Sequence, residues 1–179
     1  MTMKTKFTSI CAALLLASSP WVHADEKGNG RKETKSSPEF ERMKSLVGSW
    51  TGKTDMGQGP VDIQLQYRLL AGGSVLEERC FAGTPNEMLT MYYEKDGKLA
   101  MTHYCVFGNR PAMTLKSSDA KTISFDFDAT CGINLAKESH MHALSITFTD
   151  ADTISTSCKA IMDGKEMPEK PTVLKRVKS

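Results

Sequence analysis

The segment VDIQLQYRL (residues 61–69) decides the fold, because its apolar and polar residues alternate one by one. The apolar residues of its first face are Val61, Ile63, Leu65, Tyr67 and Leu69. A period of two residues is typical of a β-strand that turns one face to a core and the other to water. The segment therefore predicts a half-buried antiparallel strand.

The same alternation repeats along the rest of the chain. It predicts strands near residues 74–82, 87–95, 98–107, 111–117, 122–130, 140–149, 153–162 and 171–177, with a further strand that opens at Ser49. About ten short strands separated by tight turns predict an all-β fold, an up-and-down antiparallel β-barrel, because closure removes the exposed edges of a long meander. A barrel of more than eight strands also leaves an internal cavity.

The first 24 residues are typical of an export signal. Lys4 and Lys6 precede the apolar stretch ICAALLLA, and a small-residue cleavage pattern ends at Ala24. No later stretch approaches the roughly 18 consecutive apolar residues of a transmembrane helix. We therefore expect a soluble, exported domain, periplasmic or secreted, after removal of residues 1–24.

Residues 25–36 and 37–179 differ in composition. The first range, DEKGNGRKETKS, is highly charged and lacks an apolar anchor, so we expect a disordered tether there. In the second range Ser37 is a candidate helix cap, and Phe40 and Met43 recur at helical spacing. The sequence thus predicts a single barrel domain over residues 37–179 that begins with a short helix.

The charge of the chain excludes one class of partner. The signal segment holds two of the 23 Lys and Arg residues and none of the 21 Asp and Glu residues. The remaining chain is therefore electrically balanced, whereas nucleic-acid binding requires a basic surface. We expect no nucleic-acid partner.

Four cysteines remain after cleavage of the signal: Cys80, Cys105, Cys131 and Cys158. An even number of cysteines in an oxidising compartment predicts disulfides, and three pairings are open. Their spacing contains no C-x-x-C, so it indicates neither a zinc ribbon nor a thioredoxin-type redox centre.

The sequence LVGSWTG (residues 46–52), which follows the short helix, and Arg176 in the terminal VLKRV resemble the calycin group of lipocalins, fatty-acid-binding proteins and nitrobindin-like barrels. The resemblance implies that Trp50 packs across the closed end of the barrel against Arg176. The stretches that begin at GTPNEML and at HMHALSITF are further similar to a secreted bacterial family of lipocalin-like proteins without an assigned function. The resemblance thus implies a fold and no activity.

Two hairpins indicate which side chains face inward. An Asp-Gly turn at residues 96–97 sets the first register. It pairs Thr90 with His103, Met88 with Cys105 and Tyr92 with Met101, on an inward face that includes Leu99 and Phe107. A three-residue turn at residues 150–152 pairs Phe148 with Ile154, Ile146 with Thr156, Leu144 with Cys158 and His142 with Ala160. On the second register, His140 and His142 share the inward face of Leu144.

Three histidines, His103, His140 and His142, admit three interpretations. In the first interpretation they form ordinary hydrogen bonds, His140 and His142 near the barrel rim and His103 with the Thr90 hydroxyl. In the second they are the few placed polar groups of an apolar ligand pocket. In the third interpretation His140 and His142 chelate one metal ion that His103 completes. A haem site is a variant of the third, because nitrobindin-like relatives hold haem by one histidine, although no histidine here matches that ligand.

The pocket interpretation also assigns an inward carboxylate and apolar walls. Glu78 is in phase with Leu76 and Cys80, which makes it the inward member of the pair Glu77 and Glu78. The predicted ligand-binding residues are Glu78, Met88, Tyr92, Met101, His103, Phe125, His140 and His142. No cofactor is required by this interpretation.

Sequence signals for an enzyme are missing. The chain has no G-x-S-x-G elbow, no phosphate-binding glycine loop and no H-E-x-x-H. Water activation by a three-histidine metal site is the one catalytic route that the residues offer. The sequence therefore predicts an exported β-barrel that binds a small, largely apolar molecule. A histidine-based metal or haem protein and a non-catalytic structural or interaction domain are the alternatives.

Overall fold

A computed structural model describes residues 36–55, 59–169 and 171–178. The predicted signal peptide and nearly all of the predicted tether lie outside these residues. A helix, α1 (Pro38–Lys44), precedes the strands β1 (Gly48–Asp55), β2 (Pro60–Leu70), β3 (Val75–Cys80), β4 (Met88–Lys95), β5 (Lys98–Tyr104), β6 (Ala112–Ser118), β7 (Thr122–Phe127), β8 (His140–Asp150), β9 (Thr153–Met162), β10 (Lys165–Glu166) and β11 (Thr172–Arg176). A 3-10 turn at Ala71–Gly73 joins β2 to β3. All ten predicted strands are present, and the two-residue β10 is additional.

The strands form one closed antiparallel barrel. Strands β1 to β9 are neighbours in sequence order, β8 pairs with β9, and β11 lies between β9 and β1. The short β10 pairs only with the end of β9. The predicted all-β, up-and-down barrel of ten strands is therefore confirmed. None of the helices among the described residues combines the length and the hydropathy needed for a bilayer span.

The hairpin of β4 and β5 has the predicted register over most of its length. Thr90 lies opposite His103, and Tyr92 lies opposite Met101. The predicted pairing of Met88 with Cys105 is wrong, because β5 ends at Tyr104. Cys105 begins a turn instead, in which the Gly108 N–H donates to the Cys105 carbonyl (2.9 Å). The same turn leaves Phe107 49% exposed, so its predicted inward position is also wrong.

The hairpin of β8 and β9 departs from the predicted register at a single point. The three pairs nearest the turn are as predicted: Phe148 with Ile154, Ile146 with Thr156 and Leu144 with Cys158. The fourth predicted pair, His142 with Ala160, is wrong. The register shifts between Met141 and Ala143, so that Met141 lies opposite Ala160. Such a bulge inserts one residue and reverses the phase beyond it. His140 is therefore out of phase with Leu144, contrary to the prediction.

Helix α1 and the residues after it cover one end of the barrel, which we call the closed end. The Ser37 hydroxyl caps the helix by accepting a hydrogen bond from the Phe40 N–H (3.2 Å). Phe40, Met43 and Leu46 are buried in the core. The Ser37 N–H also donates to Glu94 at the end of β4 (2.6 Å), which ties the helix to the barrel wall. Apolar burial and capping together explain why this short helix is stable here.

Two glycines of LVGSWTG let the last strand approach the first. Gly48 has a φ of 125°, and a Cβ there would lie 3.1 Å from the Arg176 guanidinium. A Cβ at Gly52 would collide with the Val173 carbonyl oxygen. Because β1 and β11 close the barrel, the small residues at these positions allow that closure.

The four cysteines in the described part of the chain are all free thiols, so the predicted disulfides are not formed. Cys80 lies opposite Leu65 and Met88, and Cys158 lies opposite Leu144. A disulfide needs a partner with a Cα roughly 4.4–6.8 Å away. The residues that pair with these two inward cysteines across the sheet are apolar. An even number of cysteines was therefore not enough to predict disulfides.

Candidate ligand-binding site

The interior of the barrel changes character along its axis. The fully buried inward side chains lie mostly towards the closed end: Leu76, Tyr92, Leu99, Met101, Met113, Ile123, Phe125, Ile146, Ile154 and Leu174. Towards the opposite end, which we call the far end, inward residues keep contact with solvent: Thr54, Glu78, Met88, Phe127, Thr156, Cys158 and Ala160. A core packed throughout would bury both sets. The interior of the far half is therefore the more open to solvent.

Cys158 is the inward residue of the far half that is most open to solvent. It faces inward opposite Leu144, and yet its side chain is exposed to solvent. Burial among surrounding protein atoms nevertheless raises the pKa of its thiol to about 12, with smaller contributions from Cys105, Glu169 and Glu78. Cys158 therefore lies where the barrel interior opens to solvent, among protein atoms that disfavour the thiolate.

Glu78 projects into the same interior and is held by two tyrosines. The hydroxyl groups of Tyr67 and Tyr92 both donate to its Oε2, at 2.7 Å and 2.8 Å. Tyr67 lies directly opposite Glu78 on β2, and Tyr92 lies on β4 opposite Leu76. Burial raises the pKa of Glu78, whereas the two phenol hydrogen bonds act in the opposite direction. The site thus contains a fixed carboxyl group whose ionised form is destabilised by its surroundings.

The neighbouring Glu77 has a different environment. Its carboxylate lies on the outer face, where Arg68 donates two hydrogen bonds at 2.7 Å and 3.1 Å. The Arg68 hydrogen bond is the main reason that the pKa of Glu77 is lowered. Arg79 binds Glu87 at 2.6 Å and reaches Glu77 at 3.8 Å. Arg68 and Arg79 therefore lie on the outer face with Glu77, and neither forms an ion pair with Glu78.

His103 is an inward residue with a local partner. Its Nδ1 lies 2.9 Å from the Thr90 hydroxyl oxygen, and the residue is only 8% exposed. Burial lowers its pKa to about 4. His103 is therefore a neutral imidazole at physiological pH, and the hydrogen bond to Thr90 is the one expected of an ordinary core histidine.

His140 and His142 lie together at the start of β8, at the far end. The His140 Nε2 is 3.2 Å from the His142 Nδ1, and the His140 Nδ1 is 2.7 Å from the Glu138 carbonyl oxygen. Both rings pack against Phe127, with centroids 5.0 Å and 5.2 Å away. Burial and the neighbouring His140 lower the pKa of His142. In the described residues no three His, Cys, Asp or Glu side chains form a metal-binding group, so His103 does not join this pair.

The other predicted site residues occupy two levels of the barrel. Tyr92, Met101 and Phe125 are fully buried and form its floor, with the Tyr92 and Phe125 ring centroids 5.8 Å apart. Met88 is half-buried at the far end. The prediction missed Tyr67 and Cys158 as site residues. Strand phase placed Tyr67 on the apolar face of its strand and Cys158 opposite the inward Leu144, but only the pairing of β2 with β3 shows that Tyr67 meets Glu78.

A pocket of about 340 Å³ at the closed end has a different role. It is lined by Trp50, Phe148, Asp152 and Arg176, among others. The nitrogens of Arg176 donate to the backbone carbonyls of Ser45 and of two further residues. Because this cation is already satisfied by backbone groups, we assign it to closure of the barrel and place the candidate site in the far half.

Comparison with known protein families and with curated proteins gives no match for this chain. A β-barrel is compatible with ligand binding, but the same fold supports many functions. Function must therefore be inferred from the chemistry of the residues inside the barrel.

Proposed function

We propose that this protein is an exported, lipocalin-like barrel of the calycin type that binds a small, largely apolar molecule in its far half. The observation that carries the proposal is the solvent contact of the inward-facing Cys158, which a filled interior would abolish. Small-molecule sites are concave and mostly apolar, with a few placed polar groups. Apolar walls around Glu78 and its two tyrosines fit that description.

A purely structural barrel is the main competitor. It predicts an interior in which every inward side chain is in van der Waals contact with others and none meets solvent. In the far half the inward Glu78, Met88 and Cys158 keep contact with solvent, so this part of the described barrel does not meet the requirement. The division of the interior into a buried floor and a solvated far half favours a binding role.

A metal or haem protein is a second candidate, favoured by one observation. The facing nitrogens of His140 and His142 are 3.2 Å apart, so a modest rotation of the rings would direct both at one ion. A third ligand would have to come from water, the bound group or a rearranged side chain. Native mass spectra with a metal or haem mass would support this candidate over the first.

The first test is occupancy of the mature protein from the exported fraction of its own host. Native mass spectra before and after denaturation are expected to show an organic mass that is released on unfolding. In parallel, an apolar fluorescent probe is titrated into the wild type and into Cys158→Phe, which fills the far half. Ser155→Phe is the matched control, because Ser155 lies on the same strand in the outward phase opposite Val173.

The outcomes of this test are distinct. Binding by the wild type and the Ser155→Phe variant, with loss in a folded Cys158→Phe variant, supports the proposal. A bare polypeptide mass together with no probe binding by the wild type would contradict it.

A further inference from the structure

The two carboxylate oxygens of Glu78 have different environments. Oε2 accepts hydrogen bonds from Tyr67 and Tyr92. Oε1 has no hydrogen-bond partner among the described residues, and Glu78 as a whole keeps partial contact with solvent. The tyrosines therefore fix the group through one oxygen and leave the other free to accept a hydrogen bond.

Glu78 occupies the boundary between the floor and the solvated half of the barrel. It is one inward position from Cys80, which ends β3 at the far end, and one from the fully buried Leu76 on the closed side. Across the interior, the charge of Glu78 contributes to the raised pKa of Cys158. A molecule that enters from the far end would therefore reach Glu78 Oε1 where the fully buried residues begin.

The charges around Glu78 are negative or neutral. Among the inward positions of the described barrel strands the one cation is Arg176, which is bound to backbone carbonyls at the closed end. The inward Glu94 is bound to the helix, also at the closed end. His103 is kept neutral by burial. On the outer face, Glu169 accepts a hydrogen bond from Ser157 beside Cys158 (2.9 Å), and its charge contributes to the raised pKa of Cys158.

These charges discriminate between ligand classes. A bound carboxylate would lie near Glu78 in an environment where like charges repel strongly. A neutral alcohol would donate one hydrogen bond to Oε1. An ammonium group would donate a charge-assisted hydrogen bond and also neutralise the buried carboxylate.

We propose that the molecule bound by the barrel is an apolar primary amine, whose ammonium group donates to Glu78 Oε1 while its hydrocarbon part lies towards Met88 and Cys158. This inference rests on the proposed binding function. It adds the chemical class of the ligand and the atom that selects it.

The test compares three probes with the same ten-carbon chain, decylammonium, decanol and decanoate, by calorimetric titration into the full mature protein at pH 7. We expect decylammonium to bind about tenfold or more tightly than decanol, and decanoate to bind most weakly. The Glu78→Gln variant is expected to lose about tenfold or more in affinity for decylammonium and to bind decanol within about threefold of the wild type. Gln retains an amide oxygen that accepts from both tyrosines, so the fold is expected to persist.

Glu77→Gln is the matched control, since it makes the same change one residue away on the outer face. It should leave the order of the three affinities unchanged. Equal binding of the three probes by the wild type, or an unchanged preference in Glu78→Gln, would overturn the inference while the proposed binding function stands. Failure of the wild type to bind any of the three probes would count against both the inference and the proposed binding function. The order of the three affinities in the wild type tests the inference even if a variant fails to fold.

Discussion

The guanidinium carbon of Arg176 lies 4.3 Å from the centre of the Trp50 ring, which joins the last strand of the barrel to the first. Arg176 also donates to the carbonyls of Val47 and Ser45, both at 2.8 Å, and the Trp50 indole N–H donates to Leu46 at 2.8 Å. The contact implied by the resemblance to calycins is thus present. It ties the segment between α1 and β1 to β11 and closes one end of the barrel.

Replacement of Arg176 by methionine should destabilise the barrel by about 2–4 kcal/mol, because it removes a cation–π contact and charged hydrogen bonds to backbone carbonyls. Methionine retains much of the aliphatic stem, so the loss reports on the guanidinium group. Urea unfolding at pH 7 measures the change. Lys175→Met is the control, since Lys175 is exposed on the same strand. Equal stability of the two variants would show that the closed end does not depend on Arg176.

His103 should give the fold a dependence on acid. Its pKa is about 4 in the folded protein, below the ordinary value near 6.5, so the unfolded chain binds the proton more tightly. Its contribution is therefore fully present above pH 6.5 and is lost as the pH falls towards 4, by about 3 kcal/mol in total. Urea unfolding of the wild type and His103→Asn is measured at several pH values across this window.

The variant lacks the titrating group, so its free energy of unfolding should fall less steeply with acid than that of the wild type. Carboxylates titrate in both proteins and cancel in the comparison. Parallel curves for the two proteins would show that burial does not depress the pKa of His103.

The sequence predicted the barrel well because its information is periodic. Alternation over residues 61–69 located β2, and the Asp-Gly turn at residues 96–97 set the register of β4 and β5. The phase of strand β3 also distinguished Glu78, which faces the interior, from Glu77, which faces outward. Period and turn geometry are local properties, and local sequence determines them.

The predictions were wrong where the structure depends on a single inserted residue or on the distance between residues far apart in the sequence. The register shift beside His142 inserts one residue without changing the hydropathy pattern, and it moves His140 out of phase with Leu144. The number of cysteines does not specify their separations, and Cys80 and Cys158 face apolar residues across the sheet. The clamp of Tyr67 on Glu78 likewise depends on the pairing of two strands joined by a 3-10 turn.

Glu78→Gln should stabilise the protein at alkaline pH. Burial raises the pKa of Glu78 in the folded state, so its contribution to stability is present below the ordinary carboxyl pKa and is lost as the pH rises through the folded value. Glutamine does not ionise and avoids that loss. We expect the variant to be the more stable protein at pH 8 and to differ little from the wild type at pH 4, as measured by urea unfolding. A less stable variant at pH 8 would mean that the ionised carboxylate is favourable in the fold.

Cys158 should be accessible to small reagents and yet react slowly. The thiolate is the reactive form, and a pKa of about 12 leaves very little of it at pH 8. We expect iodoacetamide to modify freshly reduced Cys158 at least about tenfold more slowly than a cysteine peptide in the same solution, with the rate rising steeply with pH. Peptide mapping by mass spectrometry isolates Cys158 from the other thiols.

Because the proposed ligand lies against the Cys158 side chain, saturating decylammonium should slow the modification further. Modification as fast as that of the peptide, or a rate indifferent to decylammonium, would mean that Cys158 does not line an enclosed binding space.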